Sequence, residues 1–90
     1  MNVYIVSYEL SNPTVNSEEL LASIKEQKHW ARLGQAAYLV VTEGTPVDLR
    51  NQFKSALRAN DRLFVGSISA PAAWTGMSDK VSNWIKKHLR

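Results

Sequence analysis

Strands that are apolar on both sides constrain this chain more than any other feature in it. In the opening segment VYIVSYEL, Val3 and Ile5 point to one side of an extended chain, while Tyr4, Val6 and Tyr8 point to the other. Two later segments repeat the pattern, with Leu39 and Val41 against Tyr38 and Val40, then Leu63 and Val65 against Phe64 and Ile68. A sheet with one wet face alternates cleanly between apolar and polar residues, and this one does not. Its second face must meet another layer, supplied either by a partner subunit or by the chain's own C-terminal helix with Trp74 and Trp84. One short helix covers four strands poorly, so the expectation is a homodimer, with Tyr4, Val6, Tyr8, Trp74 and Trp84 at its interface.

The order of elements follows from local signals. Residues 2–9 read as a strand, and SNPTVN after them is turn chemistry. Asn16 or Ser17 can cap a first helix, with Glu19 three residues after Asn16 and Leu20, Leu21 and Ile24 as the apolar stripe. Two apolar runs around Gly34-Gln35 read as a hairpin over residues 29–42. Thr45-Pro46-Val47-Asp48 starts a second helix, with a capping hydroxyl, a proline at the first position and an acid in the first turn. Its stripe is Leu49, Phe53, Ala56 and Leu57; Ala59-Asn60-Asp61 closes it, and RLFVGSIS is a fourth strand.

The first sixty-nine residues thus read β-α-β-β-α-β, the order of a ferredoxin-like sandwich in the α+β class, with two helices on one sheet face. Residues 70–90 add a loop and an amphipathic helix from Ser78, with Val81, Trp84, Ile85 and Leu89 on one side. Ninety residues make one small domain, comprising a core over 1–69 and this extension.

Composition removes several chemistries. The chain has no cysteine, which excludes disulfide frameworks, thiolate zinc sites, iron–sulfur clusters and cysteine nucleophiles. Its longest apolar run, Ala36 to Val41, is far short of the ~20 residues that span a bilayer, so the expected setting is soluble and cytoplasmic, without membrane contact. Gly44, Gly66 and Gly76 stand alone, so no glycine-rich phosphate loop exists. The third strand lacks the basic, glycine and aromatic positions with which RNA-recognition motifs stack bases.

The formal charge of +3 gains meaning once it is located. Residues 1–77 carry seven basic and seven acidic side chains, so the excess lies in residues 78–90, where Lys80, Lys86, Lys87 and Arg90 face Asp79 alone. A second basic group, Arg50, Lys54 and Arg58, recurs every four residues on the second helix, and Arg62 opens the next strand. Such spacing suits the phosphates of a nucleic acid, and equally a solvated helix face. His29 and Trp30 begin the second strand, where they could stack a base or transfer a proton; packing for the tryptophan and exposure for the histidine is the commoner outcome.

A strand ending in Tyr-Glu-Leu, then HWARL, AAYLVVT, the basic second helix, and NDRLFVGSIS followed by AAWTGMSD form a familiar succession. From Val3 to about Asp79 the chain resembles small bacterial and phage proteins labelled SinR-like or hypothetical, which are similar to the small ferredoxin-like subunit of the CRISPR spacer-integration complex. The resemblance implies a homodimer associated with nucleic acid in bacterial or phage defence. It also implies a metal position, because members with nuclease activity are proposed to hold a divalent ion through an aspartate that ends the first strand. Glu9 occupies that position and, doubled by symmetry, could ligate Mg²⁺.

The function expected is therefore a non-catalytic, homodimeric nucleic-acid-binding protein that uses Arg50, Lys54, Arg58, Arg62, Lys86, Lys87 and Arg90. The alternatives are a metal-dependent endonuclease centred on Glu9, and a regulatory module that engages another protein without touching nucleic acid.

Overall fold

The structure, a computed structural model, describes residues 2–90. Its elements are β1 (Asn2–Glu9), α1 (Pro13–Lys25), β2 (His29–Gly34), β3 (Ala37–Thr42), α2 (Pro46–Lys54), β4 (Arg62–Ile68) and α3 (Asp79–His88). The four strands form one sheet in the order β2-β3-β1-β4, each antiparallel to its neighbours. β1 lies between β3 and β4, with Val3 opposite Val41, Ile5 opposite Leu39, and Glu9 opposite Arg62. β2 and β3 form the expected hairpin, in which Gly34 pairs with Ala37 and the register is irregular between Arg32 and Gly34.

The two-sided strands are explained by two separate apolar layers. On one face Tyr4, Val6, Tyr38 and Val40 meet Leu20 and Ile24 of α1 and Leu49, Phe53 and Ala56 beside α2. On the other, Val3, Leu39 and Val41 meet Ile85 of α3, with Ile5, Leu33, Ile68, Trp74, Val81, Trp84 and Leu89 packed around them. The chain therefore covers the Val3–Val41 end of its second face itself, while Phe64, opposite Ser7 on that same face, stays exposed. Tyr4 and Val6, expected at a subunit interface, are 3% and 0% exposed within a single chain, and Tyr8 packs half-buried against the same core. Trp74 and Trp84 serve the intramolecular layer; the Trp74 indole donates to Ser82 Oγ at 3.0 Å.

Two local expectations change. α1 begins at Pro13 behind Asn12, and Asn16, read as its cap, is a buried residue inside the helix. Its amide donates to the Ala56 carbonyl at 2.7 Å and to Asp61 Oδ2 at 2.9 Å. Asp61 also accepts from the backbone N–H of Arg58 at 2.7 Å and of Ser11 at 2.8 Å. These bonds tie the start of α1 to the loop before β4, and they hold the Asp61 carboxyl well below the usual carboxylate range.

α2 starts as expected, with Thr45 and Asp48 forming a reciprocal capping box. It ends at Lys54, about a turn earlier than the sequence suggests, and Ala56 and Leu57 close in a turn through backbone bonds to Phe53 and Lys54. Ser78 caps α3 by accepting from the Val81 N–H, and Gly76 just before it takes a φ of +80°, where a side chain would be strained.

Candidate nucleic-acid interface

The basic residues fall into two groups that the sheet keeps apart. Arg50 and Lys54 lie on α2, over the face packed by Tyr4 and Val40, whereas Lys86, Lys87 and Arg90 lie at the end of α3, over the face packed by Val3 and Val41. They do not make one surface within a chain. Nor does the four-residue stripe survive as drawn. Arg58 lies beyond the end of α2, and its guanidinium bonds to Glu19 at 3.1 Å, the one ion pair among the described residues. Arg50 turns onto Asn51 Oδ1 at 3.1 Å. Lys54 and Arg62 are exposed.

The second group is different because it faces a cleft. The last turn of α3, the start of β1 and the end of β4 enclose about 440 Å³ lined by Asn2, Ser67, Ser69, Lys87, His88 and Arg90, with Val3, Val41 and Ile68 behind them. No Asp or Glu side chain lines it. Lys87 and Arg90 make no ion pair or side-chain hydrogen bond among the described residues, so their charge is free to meet a ligand. The segment is anchored, since the Ala70 N–H donates to the Arg90 carbonyl at 2.9 Å and the Leu89 N–H to Ile85. Cations near the C-terminus of a helix also sit favourably in the field of its backbone dipoles.

His88 links this cleft to β2. Its ring lies 4.8 Å from that of His29 and 4.4 Å from that of Trp84. Its pKa is lowered, first by burial and then by His29, Lys87 and Arg90. On sequence alone His29 reads as an exposed group with no second histidine near it. The available signal was the helical spacing of α3, which puts His88 four residues after Trp84 and three after Ile85, on the docked side. What that spacing lacks is the strand on which the helix rests.

Trp30 is 38% exposed; its ring stacks at a tilt on Tyr38, and the Lys25 ammonium lies 5.1 Å from its centre. Glu9 is exposed at the end of β1, opposite Arg62, at the rim of a 500 Å³ hollow shared with Tyr8, Ser17 and Gln35. Among the described residues, no three His, Asp or Glu side chains come together as a metal-binding group. A single chain thus offers Glu9 alone for the ion expected there.

The edge strand β4 carries the most exposed large apolar side chain among the described residues, on the second face of the sheet. Phe64 is 64% exposed, and with Val47, at 53%, it borders a 270 Å³ hollow that Pro46, Arg50, Leu63 and Val65 complete. Its ring lies across Gly66, where a Cβ would stand 2.8 Å from Phe64 Cε1.

No helix among the described residues is long and apolar enough to cross a membrane. No protein-family model matches the chain, and no curated protein matches it. Among solved structures it is similar to the crystal structure of a hypothetical protein from Thermus thermophilus, with a TM-score of 0.67 and 19% identity over 84% of this chain and 92% of that one. At that identity the likeness shows a shared small α+β fold of four antiparallel strands with flanking helices.

Proposed function

We propose that the protein is a ferredoxin-like, nucleic-acid-associated protein that holds phosphate through the cleft at the end of α3. The order β2-β3-β1-β4, with β1 at the centre and α1 and α2 on one face, supports the ferredoxin-like reading. The observation that carries the function is the cleft itself: Lys87, His88 and Arg90 converge on it, hydroxyls and an amide fill its other wall, and no Asp or Glu side chain opposes them. Phosphate is the anion such a set suits, because it accepts from several donors at once and its affinity is driven by displaced counterions.

A mobility-shift titration of short DNA and RNA tests this. Three phosphates neutralised by Lys86, Lys87 and Arg90 imply that affinity falls about 40-fold per chain between roughly 50 and 200 mM salt. The double charge reversal K86E/K87E should abolish the shift while leaving the circular dichroism spectrum intact. Absence of binding at low salt would sink the reading.

A homodimer belongs to the proposal through a smaller surface than the sequence suggests. α3 covers one end of the second sheet face, and the surface left for another copy is the bare end of that face with the β4 edge beside it, where Phe64 and Val47 are exposed. That edge also favours the second reading, a module that adds a strand of another protein to its sheet. Sedimentation of wild type and Phe64→Lys separates the two: self-association lost in the variant supports the dimer, and a monomeric wild type supports the module. The nuclease reading needs a partner's Glu9 beside this one, and cleavage with Mg²⁺ that Glu9→Ala abolishes would establish it.

A further inference from the structure

The cleft at the end of α3 has features that a passing phosphodiester backbone does not require. It is lined by four chain segments, and at about 440 Å³ it lies within the size range of small-ligand pockets. It concentrates Lys87, Arg90 and His88 at one point, whereas a groove that tracks a strand spreads its cations along the path. Three donors of positive charge at one point suit a phosphate bearing two negative charges. An internal phosphodiester carries one; a terminal phosphomonoester carries up to two.

We propose that this cleft binds the terminal phosphate of a nucleic-acid strand, with Lys87 and Arg90 holding the phosphate and the His29–His88 pair making its grip tighten in mild acid. The inference rests on the nucleic-acid reading above and names the part of the strand that the cleft takes.

The pH dependence follows from the groups that face His88. β2 contributes His29, the last turn of α3 and the residue pair after it contribute Lys87 and Arg90, and Trp84 lies against the ring. The lining from β1, β3 and β4 is uncharged: Asn2, Val3, Val41, Ser67 and Ile68, then Ser69. Burial first, and then the positive side chains around it, disfavour the His88 imidazolium in the free protein. A bound phosphate reverses that balance, raises the pKa of His88 and so takes up a proton with the ligand. Binding therefore strengthens as pH falls through the region where His88 protonates. The ligand itself works in the opposite direction, because a phosphomonoester loses negative charge below its second pKa of about 6. A gain in affinity on acidification is accordingly a property of the histidines.

The test uses the full chain and three forms of one hexanucleotide, bearing a 5′-phosphate, a 3′-phosphate or neither, with inorganic phosphate as a fourth probe. Affinity is read from tryptophan fluorescence and occupancy from the His88 imidazole NMR signal. One phosphorylated form should bind about tenfold more tightly than the unphosphorylated one near pH 6, the ratio shrinking toward pH 8 as the imidazolium is lost. H88Q should keep the fold and a preference for the phosphorylated strand, while that preference no longer grows on acidification.

Equal binding of all three strands, salt-sensitive and without a shift at His88, would overturn the terminal-phosphate proposal and leave the nucleic-acid reading intact. No binding of any strand would overturn both. Inorganic phosphate binding as tightly as the phosphorylated strand would assign the cleft to the free ion and overturn the proposal.

Discussion

Ile85→Ala is the substitution that most directly tests how the second sheet face is covered. Ile85 is 4% exposed and sits against Val3, Leu39 and Val41, the centre of the layer that α3 builds. The change removes three carbon groups, about 2.4 kcal/mol at ~0.8 kcal/mol each, before any cavity is counted. Core truncations of this kind run to about 5 kcal/mol where the walls cannot close in. Here an open apolar hollow of 210 Å³, lined by Leu33, Trp74, Met77 and Leu89 among others, already adjoins the side chain. The surroundings can relax into it, so the loss should be about 2–3 kcal/mol, the lower part of the range. A 90-residue domain has only about 5–13 kcal/mol in total. In urea the midpoint should fall by roughly 2 M, seen both by far-ultraviolet circular dichroism and by tryptophan fluorescence. Lys86→Ala, on the exposed side of the same helix, should stay within about 0.5 kcal/mol of wild type. If Ile85→Ala also stays within about 0.5 kcal/mol, α3 does not rest on the sheet and the reasoning about the second layer is refuted.

Two further outcomes concern the knot of polar bonds at the start of α1. Asn16→Ala takes the amide donor from the buried Ala56 carbonyl and from Asp61 Oδ2, which keeps the Arg58 N–H, and should cost about 1–3 kcal/mol in urea unfolding, while Asn16→Asp, which sets a second carboxylate against Asp61, should cost more; the reverse order would contradict the bonding described. Asp61 is held below its unfolded value, chiefly by the Arg58 N–H and then by the Ser11 N–H and Asn16. Its contribution is present above the unfolded pKa of about 4 and is lost as pH falls below that, toward the folded value. Melting temperatures between pH 4 and 2 should therefore fall less steeply for Asp61→Asn than for wild type.

The limits of the sequence reading lie where a residue's partner is remote in the chain. The strands, the hairpin and the Thr45 cap rest on residues within a few positions of one another, and these came out as expected. Asn16 followed by Glu19 looks like a capping box, yet its amide is taken by Ala56 and Asp61, forty or more residues on, which no local spacing reveals. Arg58 keeps the four-residue rhythm of Arg50 and Lys54 although α2 has already ended, so periodicity overextended the stripe. The apolar side of α3 was plain, but not the surface it meets. That single missing fact turned an intramolecular layer into an expected dimer face, and it hid the meeting of His29 with His88.

The position of α3 in the chain has a consequence during synthesis. β1, the first strand made, lies between β3 and β4, so its ladders are complete only when β4 has emerged. From Ile68 to His88 a further twenty residues must be added before the second face can close, about 1–4 s at ordinary elongation rates. Through that interval Val3, Ile5, Leu39 and Val41 form a bare apolar plate on the nascent chain, open to aggregation for as long as it lasts. Slowing translation within codons 69–88 should lengthen that exposure and lower soluble yield, whereas slowing it within α1 should not.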